Sequence, residues 1–232
     1  MMEIIPAILA KDINDLRSKL GRFVNTSKVV QIDVCDGKFV PTYSWPMNTG
    51  DRKEILNILN EDEGMPFWNY FDFEFDLMIK DGIDHFEFFT RLGAKRVVFH
   101  LEAEDENKLK EFIESMDPYI RENVEIGLSI KNDTETIKLD KFINIIDFIQ
   151  LMGIKEIGYQ GEPFDERVLV KIKEIKEKYK DIIISIDGSV NENTSSALVK
   201  AGADRLVVGS YLNGRLDIIE TIKELESLDK NR

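Results

Sequence analysis

Apolar residues along this chain follow two spacings that alternate from its beginning to its end. The run 28–35 is almost continuously apolar and β-branched and stops at the turn pair Asp36-Gly37, which predicts a strand. Residues 13–23 instead place their apolar side chains three or four positions apart, the spacing of a helix with one buried face. The pattern therefore predicts strands and helices in alternation.

Extending both rules along the chain predicts an α/β fold. The predicted strands cover residues 3–9, 28–35, 71–79, 95–101, 124–130, 145–152, 182–187 and 205–208. The predicted helices begin near residue 12 and then cover 51–59, 84–92, about 104–122 with a break near Pro118, about 134–143, 164–179, 191–201 and 216–228. Strands that are each followed by helical material predict a (β/α)8 TIM barrel. An open doubly wound sheet is the alternative, but it usually has about five or six strands.

Composition limits the classes of protein that this sequence fits. A chain of 232 residues with 43% hydrophobic content suits one domain over residues 1–232. The net charge of −13 argues against nucleic acid and against an anionic membrane surface. A single cysteine excludes an internal disulfide and fits a reducing, cytoplasmic location. Neither a membrane span nor a signal peptide is predicted, because no apolar run approaches ~18 residues and the N-terminus begins as a strand.

Acidic and amide side chains lie within these predicted strands or at their ends. Gln31 and Asp33 share one face of the second strand. Asp76 lies in the third strand, and Asp187 ends the seventh. Taken singly, such an acid is also compatible with an edge strand that faces water. In a barrel the acids converge on the C-terminal rim, where clustered carboxylates need a cation or shared protons.

Three more residues lie near the C-terminal ends of predicted strands, namely Met78, His100 and Met152. Each is also compatible with an ordinary place in the core, the histidine with its hydrogen bonds satisfied and the methionines as packing. Their common position at the rim makes them candidate contacts to a substrate.

Glycine-containing turns follow the last two predicted strands. Gly188-Ser189 follows the seventh strand and Gly209-Ser210 the eighth, and backbone N–H groups in these loops are the common phosphate site of a barrel. A third loop, after the sixth strand, contains Gly158 and Gly161 and is predicted to close over the ligand as a lid.

The ordered set of these segments resembles the ribulose-phosphate 3-epimerases, barrel enzymes that interconvert ribulose 5-phosphate and xylulose 5-phosphate. The resemblance covers nearly the whole chain. The matching segments are Ile5-Pro6-Ala7-Ile8-Leu9, residues 33–41, Asp76-Leu77-Met78, His100-Leu101-Glu102, Met152, the glycine loop to Phe164, Asp187-Gly188, Gly202-Ala203-Asp204 and Val208-Gly209-Ser210.

The resemblance implies a divalent metal held by two histidines and two aspartates. The aspartates match Asp33 and Asp187, whereas the histidine positions are Gln31 and Asp76 here. A serine of the first strand is Ala7 and a methionine of the second is Cys35, and the glycine loop is one residue longer and lacks its proline. The ligand set Gln31, Asp33, Asp76 and Asp187 offers only oxygen, which favours Mg²⁺ or Mn²⁺ over Zn²⁺ or Fe²⁺.

The resemblance also implies a reaction at C3 of a ketopentose or ketohexose phosphate, with Asp33 and Asp187 as the proton-transfer pair. It implies that the substrate and its phosphate contact Ala7, Met78, His100, Met152, Gly158, Gly161, Gly188, Ser189, Gly209 and Ser210. Two alternatives stay open: a non-catalytic phosphosugar-binding barrel, and a related sugar-phosphate isomerase or decarboxylase. A homo-oligomer is expected, since exposed barrel faces often support one.

Overall fold

Parallel strands rich in β-branched and aromatic residues form the centre of the protein. The computed structural model describes residues 2–48, 50–159 and 161–228, and within them eight strands pair in chain order and close into a barrel. The strands are β1 (Glu3–Ile8), β2 (Val29–Cys35), β3 (Asp72–Met78), β4 (Ala94–His100), β5 (Glu125–Ile130), β6 (Phe148–Met152), β7 (Ile183–Asp187) and β8 (Arg205–Val208). The predicted (β/α)8 barrel is confirmed, and the open sheet is excluded because β8 pairs with β1.

Helices cover the outside of the barrel. They are α1 (Ile13–Phe23), α2 (Arg52–Leu59), α3 (Phe86–Arg91), α4 (Glu106–Glu114), α5 (Pro118–Asn123), α6 (Arg167–Lys178), α7 (Ser195–Ala201), α8 (Ser210–Asn213) and α9 (Ile218–Ser227). The break expected near Pro118 separates α4 from α5, because proline is well tolerated only in the first turn of a helix. Among the described helices, none is long and apolar enough to cross a membrane.

The connection between β5 and β6 differs from the expected helix at about 134–143. It forms a 3-10 helix over Thr136–Lys141. The apolar side chains that this segment buries, Leu139 and Phe142, are three residues apart, which is the period of a 3-10 helix. The predicted helix is therefore present, over fewer residues and with the tighter 3-10 geometry.

Alternation along β3 separates the outer core from the barrel interior. Phe73, Phe75 and Leu77 are buried towards the surrounding helices, where the ring of Phe75 lies 5.1 Å from that of Phe89. Glu74 and Asp76 take the opposite face and are fully buried inside the barrel. Charged residues inside the barrel need partners, so the interior carries both the site and an ion cluster.

The ion cluster lies at the N-terminal end of the barrel. The Arg96 guanidinium lies within 3.5 Å of carboxylate oxygens of Glu3, Glu74 and Glu125. Arg205 pairs with Glu3 and Glu125 from the other side. Burial raises the pKa of Glu74 to about 7, although Arg96 and Arg205 act to lower it. Glu74 therefore belongs to this cluster and not to the rim, although it shares a strand face with Asp76.

A second buried carboxyl, that of Glu104, gives the protein a testable pH dependence. Burial first and Asp81 next raise the pKa of Glu104 to about 7, although the N–H donor of Gly82 acts to lower it. The folded state thus binds this proton more tightly than the unfolded chain does, so the stability it contributes is lost as pH rises from about 4.5 to about 7. In Glu104→Gln the side chain is neutral at every pH and its oxygen can still accept from Gly82.

We expect the free energy of unfolding of Glu104→Gln to exceed that of the wild type by a margin that grows across this pH window and then levels off. Urea unfolding of both proteins at several pH values measures the margin. The contributions of other groups with raised pKa values are the same in both proteins and cancel in the difference between their free energies of unfolding. A difference that does not change with pH would contradict the assignment.

Candidate active site

Three carboxylates meet at the C-terminal end of the barrel. Asp33 in β2 lies opposite Asp76 in β3, and Asp187 ends β7. Oxygen atoms of these three residues all lie within 4.8 Å of one another. The strands bring them together because side chains at the C-terminal ends of parallel strands project into one rim.

The Gln31 side chain joins two of these acids. Its Nε2 donates to Asp33 Oδ1 at 2.8 Å and to Asp187 Oδ2 at 2.9 Å. We call this pair of hydrogen bonds the amide bridge. Two nearby oxygens, Gln31 Oε1 and Asp76 Oδ2, are buried without a hydrogen-bond partner in the described part of the chain. The sequence prediction placed Gln31 beside the acids but did not foresee that its nitrogen faces them.

Burial and mutual repulsion raise the pKa values of two of these carboxyls, those of Asp33 and Asp187. The pKa of Asp33 is raised well above its usual value by burial first and then by the charges of Asp187 and Asp76. The pKa of Asp187 is likewise raised, by burial and by Asp76, while the Gln31 donor acts to lower it. Clustered acids in a buried site favour states in which at least one of them is protonated or a cation balances the charge.

His100 is fully buried and contacts Asp76. Its Nε2 is 2.8 Å from Asp76 Oδ1, and its ring stacks at a tilt on Phe39 with 5.4 Å between centroids. Burial lowers the pKa of His100, but Asp76 outweighs this effect and the net shift is upward. The predicted role of His100 as a substrate contact stays a prediction, and in this geometry its direct partner is the Asp76 carboxylate.

Residues of the loop after β2 hold the rim in place. Ser44 Oγ donates to the Asp33 carbonyl oxygen and accepts the N–H of Cys35. The Asp36 carboxylate accepts backbone N–H groups from its own loop and from Lys80 after β3. Sequence reasoning did not identify Ser44, whose partners are distant in sequence. The Asp36-Gly37 pair does carry a signal, because aspartate commonly bonds backbone N–H groups two and three residues on.

A cavity opens above the acids. Its lining includes most of the predicted substrate contacts: Ala7, Asp33, Met78, Met152, Gly158, Gly161, Asp187, Gly188, Ser189, Gly209 and Ser210. It also includes residues that the sequence did not single out, namely Leu9, Ile154, Tyr159, Glu162, Val190 and Val207. The predicted residues Gln31, Asp76 and His100 are buried and lie outside this lining.

A turn with unusual backbone geometry, Gly188-Ser189, borders the cavity. Gly188 and Ser189 adopt φ of +99° and +54°, the left-handed region that L side chains rarely take. A Cβ on Gly188 would lie 2.8 Å from Cγ1 of Ile154, so the turn also needs the space of a glycine. Among the described lining residues there is no lysine or arginine. The donors that this lining offers to an anion are therefore backbone N–H groups and hydroxyls such as those of Ser189 and Ser210.

The loop after β6 lies over the cavity and against the loop after β2. Gly158, with φ of +88°, approaches so closely that a Cβ would lie 2.6 Å from Val40 Cβ. The loop returns to the barrel through a bridge between Ile154 and Phe164. Gly158, Gly161 and Glu162 thereby face the cavity from above. The arrangement fits the predicted lid, and its movement stays a prediction.

The residues at the rim fit a hard divalent cation. The three carboxylates supply closely spaced oxygens, and the buried Gln31 Oε1 and Asp76 Oδ2 are oxygens in need of a partner. Carboxylate and amide oxygens suit Mg²⁺ and Mn²⁺, whereas Zn²⁺ prefers nitrogen and sulfur ligands. The nearest imidazole, that of His100, already engages Asp76.

Fold and site together define a (β/α)8 barrel with an acidic cluster at its C-terminal rim, and comparisons with known proteins show its family. The model of the ribulose-phosphate 3 epimerase family matches residues 3–213. The ribulose-phosphate 3-epimerase of Bacillus subtilis is 26% identical over 231 residues, which are 97% of this chain and 98% of that protein. The enzyme of that name from Aquifex aeolicus is 26% identical, covering 98% of this chain and 97% of that protein. The chain belongs to the ribulose-phosphate 3-epimerase family.

Solved structures with the same architecture include enzymes with other names. The 3-keto-L-gulonate-6-phosphate decarboxylase of Vibrio cholerae superposes with a TM-score of 0.69 at 12% identity, covering 99% of this chain and 98% of that chain. The 3-hexulose-6-phosphate synthase of Salmonella typhimurium gives a TM-score of 0.66 at 13% identity, covering 99% of both chains. At these identities the likeness is one of fold.

Proposed function

We propose that this protein is an epimerase that inverts C3 of a ketose phosphate, with D-ribulose 5-phosphate as the first substrate to test. The observation that carries the proposal is the meeting of Asp33 and Asp187 beneath a cavity bordered by the two glycine turns. Relatives that carry the name ribulose-phosphate 3-epimerase match over nearly the whole chain, which supports the same reaction class.

Inversion next to a ketone needs a base on one face of the carbon and an acid on the other. Asp33 and Asp187 come from β2 and β7 and reach the cavity from separate strands. Their raised pKa values, caused by burial and by repulsion among the acids, suit a pair in which one carboxyl holds a proton while the other is ionised. Asp33 removes the C3 proton in one direction and Asp187 returns one, and the roles exchange in the other.

Asp33, Asp76, Asp187 and Gln31 would hold a divalent cation, with Mg²⁺ or Mn²⁺ favoured. When bound, the cation supplies positive charge beside the substrate oxygens at which negative charge develops. His100 fixes the orientation of Asp76 through the Nε2 contact to Oδ1. The Met78 and Met152 side chains and Ala7 complete the walls of the cavity and exclude water from the reacting carbon.

The phosphate of the substrate would bind at the turns Gly188-Ser189 and Gly209-Ser210. In Gly209→Val the added side chain would keep the phosphate from the backbone amides, so affinity for a sugar phosphate should fall by about 10–100-fold, the loss of roughly one charge-assisted hydrogen bond. Calorimetric titration with ribulose 5-phosphate measures the effect. Gly50→Val adds the same side chain at a site with open space and serves as the control. Unchanged affinity in a folded Gly209→Val protein would remove this turn from the site.

A direct assay tests the reaction. Purified protein with Mg²⁺ or Mn²⁺ should convert ribulose 5-phosphate to xylulose 5-phosphate, detected by a xylulose-5-phosphate-dependent coupling enzyme. Binding without turnover on any ketopentose or ketohexose phosphate would favour the non-catalytic barrel. Release of carbon dioxide from a keto-acid sugar phosphate would favour a decarboxylase.

A further inference from the structure

Among the described residues, only the nitrogen of the Gln31 side-chain amide makes hydrogen bonds to other side chains. Both of its strong hydrogen bonds are made by Nε2, to Asp33 Oδ1 and Asp187 Oδ2. Its Oε1, in a fully buried side chain, has no partner in the described part of the chain. A primary amide offers two donors and an acceptor oxygen, and a buried acceptor without a donor or cation is unfavourable. The unsatisfied half of this side chain borders a cluster of acids.

The amide bridge suits the site in its cation-free form. Asp33, Asp76 and Asp187 repel one another, and the Nε2 hydrogens are the only side-chain donors shared between Asp33 and Asp187 among the described residues. If Oε1 faced the acids instead, a partial negative charge would meet two carboxylates. The orientation with Nε2 towards Asp33 and Asp187 is therefore the stable one as long as no cation lies between the acids.

A cation at the same place reverses this preference. Its charge would attract Oε1 and repel the Nε2 hydrogens, while the carboxylates would no longer need those donors. The two ends of an amide are nearly identical in size, and the terminal torsion of glutamine is broad and roughly two-fold. The exchange therefore needs no change in the surrounding packing.

We infer that Gln31 is a two-position ligand: its nitrogen bridges Asp33 and Asp187 when the cation is absent, and rotation of the amide presents its oxygen to the cation when one binds. This rests on the proposed function only in taking the acidic cluster as the cation site. The unpartnered Asp76 Oδ2 on the neighbouring strand β3 supports it, because Gln31 Oε1 and an oxygen of the acidic cluster itself are both buried without donors in the described part of the chain.

Cation binding and rotation of the Gln31 amide are therefore thermodynamically linked. A cation that binds the oxygen-inward state shifts the population towards it, and the amide bridge competes with the cation for Asp33 and Asp187. Gln31 thus holds the proton-transfer pair in place before loading and becomes part of the loaded site. An imidazole at this position would not have two interchangeable ends of this kind.

The composition of the chain makes a direct experiment possible. It has three glutamines, Gln31, Gln150 and Gln160, so side-chain ¹⁵N-glutamine labelling gives three pairs of amide signals. In Gln31→Leu the pair of signals that disappears is that of Gln31. If this variant does not fold, Gln150→Leu identifies the Gln150 pair in the same way and leaves two pairs to distinguish. Gln150 is fully buried in the barrel and provides the internal control.

We expect the Gln31 pair of the full-length protein to appear hydrogen-bonded and slowly exchanging without metal. Addition of diamagnetic Mg²⁺ should shift this pair and speed its exchange with solvent, at the same midpoint as the heat of Mg²⁺ binding, while Gln150 stays unchanged. Mg²⁺ binding with an unmoved Gln31 pair would overturn the inference, and so would absence of Mg²⁺ binding. Neither result decides the epimerase assay, whose outcome with ribulose 5-phosphate tests the proposed function separately.

Discussion

Asp187→Asn should fold and bind sugar phosphate yet lose turnover. Asparagine is nearly isosteric with aspartate and can still accept from the Gln31 amide, but it cannot carry a proton. A general acid–base group contributes about 10²–10⁴-fold to the rate, and a residue that also holds a cation should lie at the upper end. Steady-state kinetics with ribulose 5-phosphate measures kcat, and calorimetry measures binding.

Asp33→Asn should behave in the same way. The double variant should be far less impaired than the product of the two single effects, because groups that act as a unit are not additive. Asp62→Asn makes the same change on an exposed surface and is the matched control. Wild-type activity in Asp187→Asn would remove this residue from the mechanism.

Restoring imidazole at positions 31 and 76 should change the preferred metal. The double variant Gln31→His with Asp76→His would offer two nitrogens and two carboxylates, a set that suits Zn²⁺ better than oxygen alone. Changing a residue that only hydrogen-bonds to a metal ligand alters metal affinity by about 10–100-fold. Replacing two ligands themselves should therefore raise Zn²⁺ affinity by at least ~100-fold. Competition with a chromophoric chelator measures Zn²⁺ and Mn²⁺ affinity in both proteins.

The two single variants serve as controls and should each lie between the wild type and the double variant. Loss of Asp76 also frees His100 Nε2 from its partner, so thermal unfolding must be followed alongside. Tightly bound, stoichiometric zinc in the wild-type protein would contradict the assignment of Gln31 and Asp76 to an oxygen-only site.

Much of the fold followed from local patterns. The runs that became β2 and β3 were long, apolar and ended by turn residues, so their existence and direction were clear from sequence. The meeting of Asp33, Asp76 and Asp187 also followed, because a barrel places the C-terminal ends of all its strands at one rim. The segment 136–141 was predicted as a helix, but its two turns contain too few apolar positions to distinguish 3.0 from 3.6 residues per turn.

What the sequence did not provide was the orientation of side chains and their distant partners. Gln31 was placed at the site as an oxygen ligand, but which end of its amide faces the acids depends on hydrogen bonds to a residue 156 positions away. The Arg96 cluster depends in the same way on contacts between separate strands, and Ser44 depends on the folding of its loop back onto β2. His100 was expected at the substrate, and its contact with Asp76, a residue 24 positions away on β3, was not evident from the sequence.

Exchange of the C3 hydrogen with solvent tests whether Asp33 and Asp187 transfer the C3 proton of a ketose phosphate. Ribulose 5-phosphate is incubated in D₂O with the wild-type protein and Mg²⁺ or Mn²⁺, and proton NMR follows C3, with the double variant Asp33→Asn and Asp187→Asn, which lacks both proposed bases, as the parallel sample. With the wild type we expect the C3 signal to be lost as deuterium enters and xylulose 5-phosphate forms, while the double variant leaves C3 protonated. A wild-type protein that binds the sugar phosphate and leaves its C3 hydrogen in place would contradict this assignment.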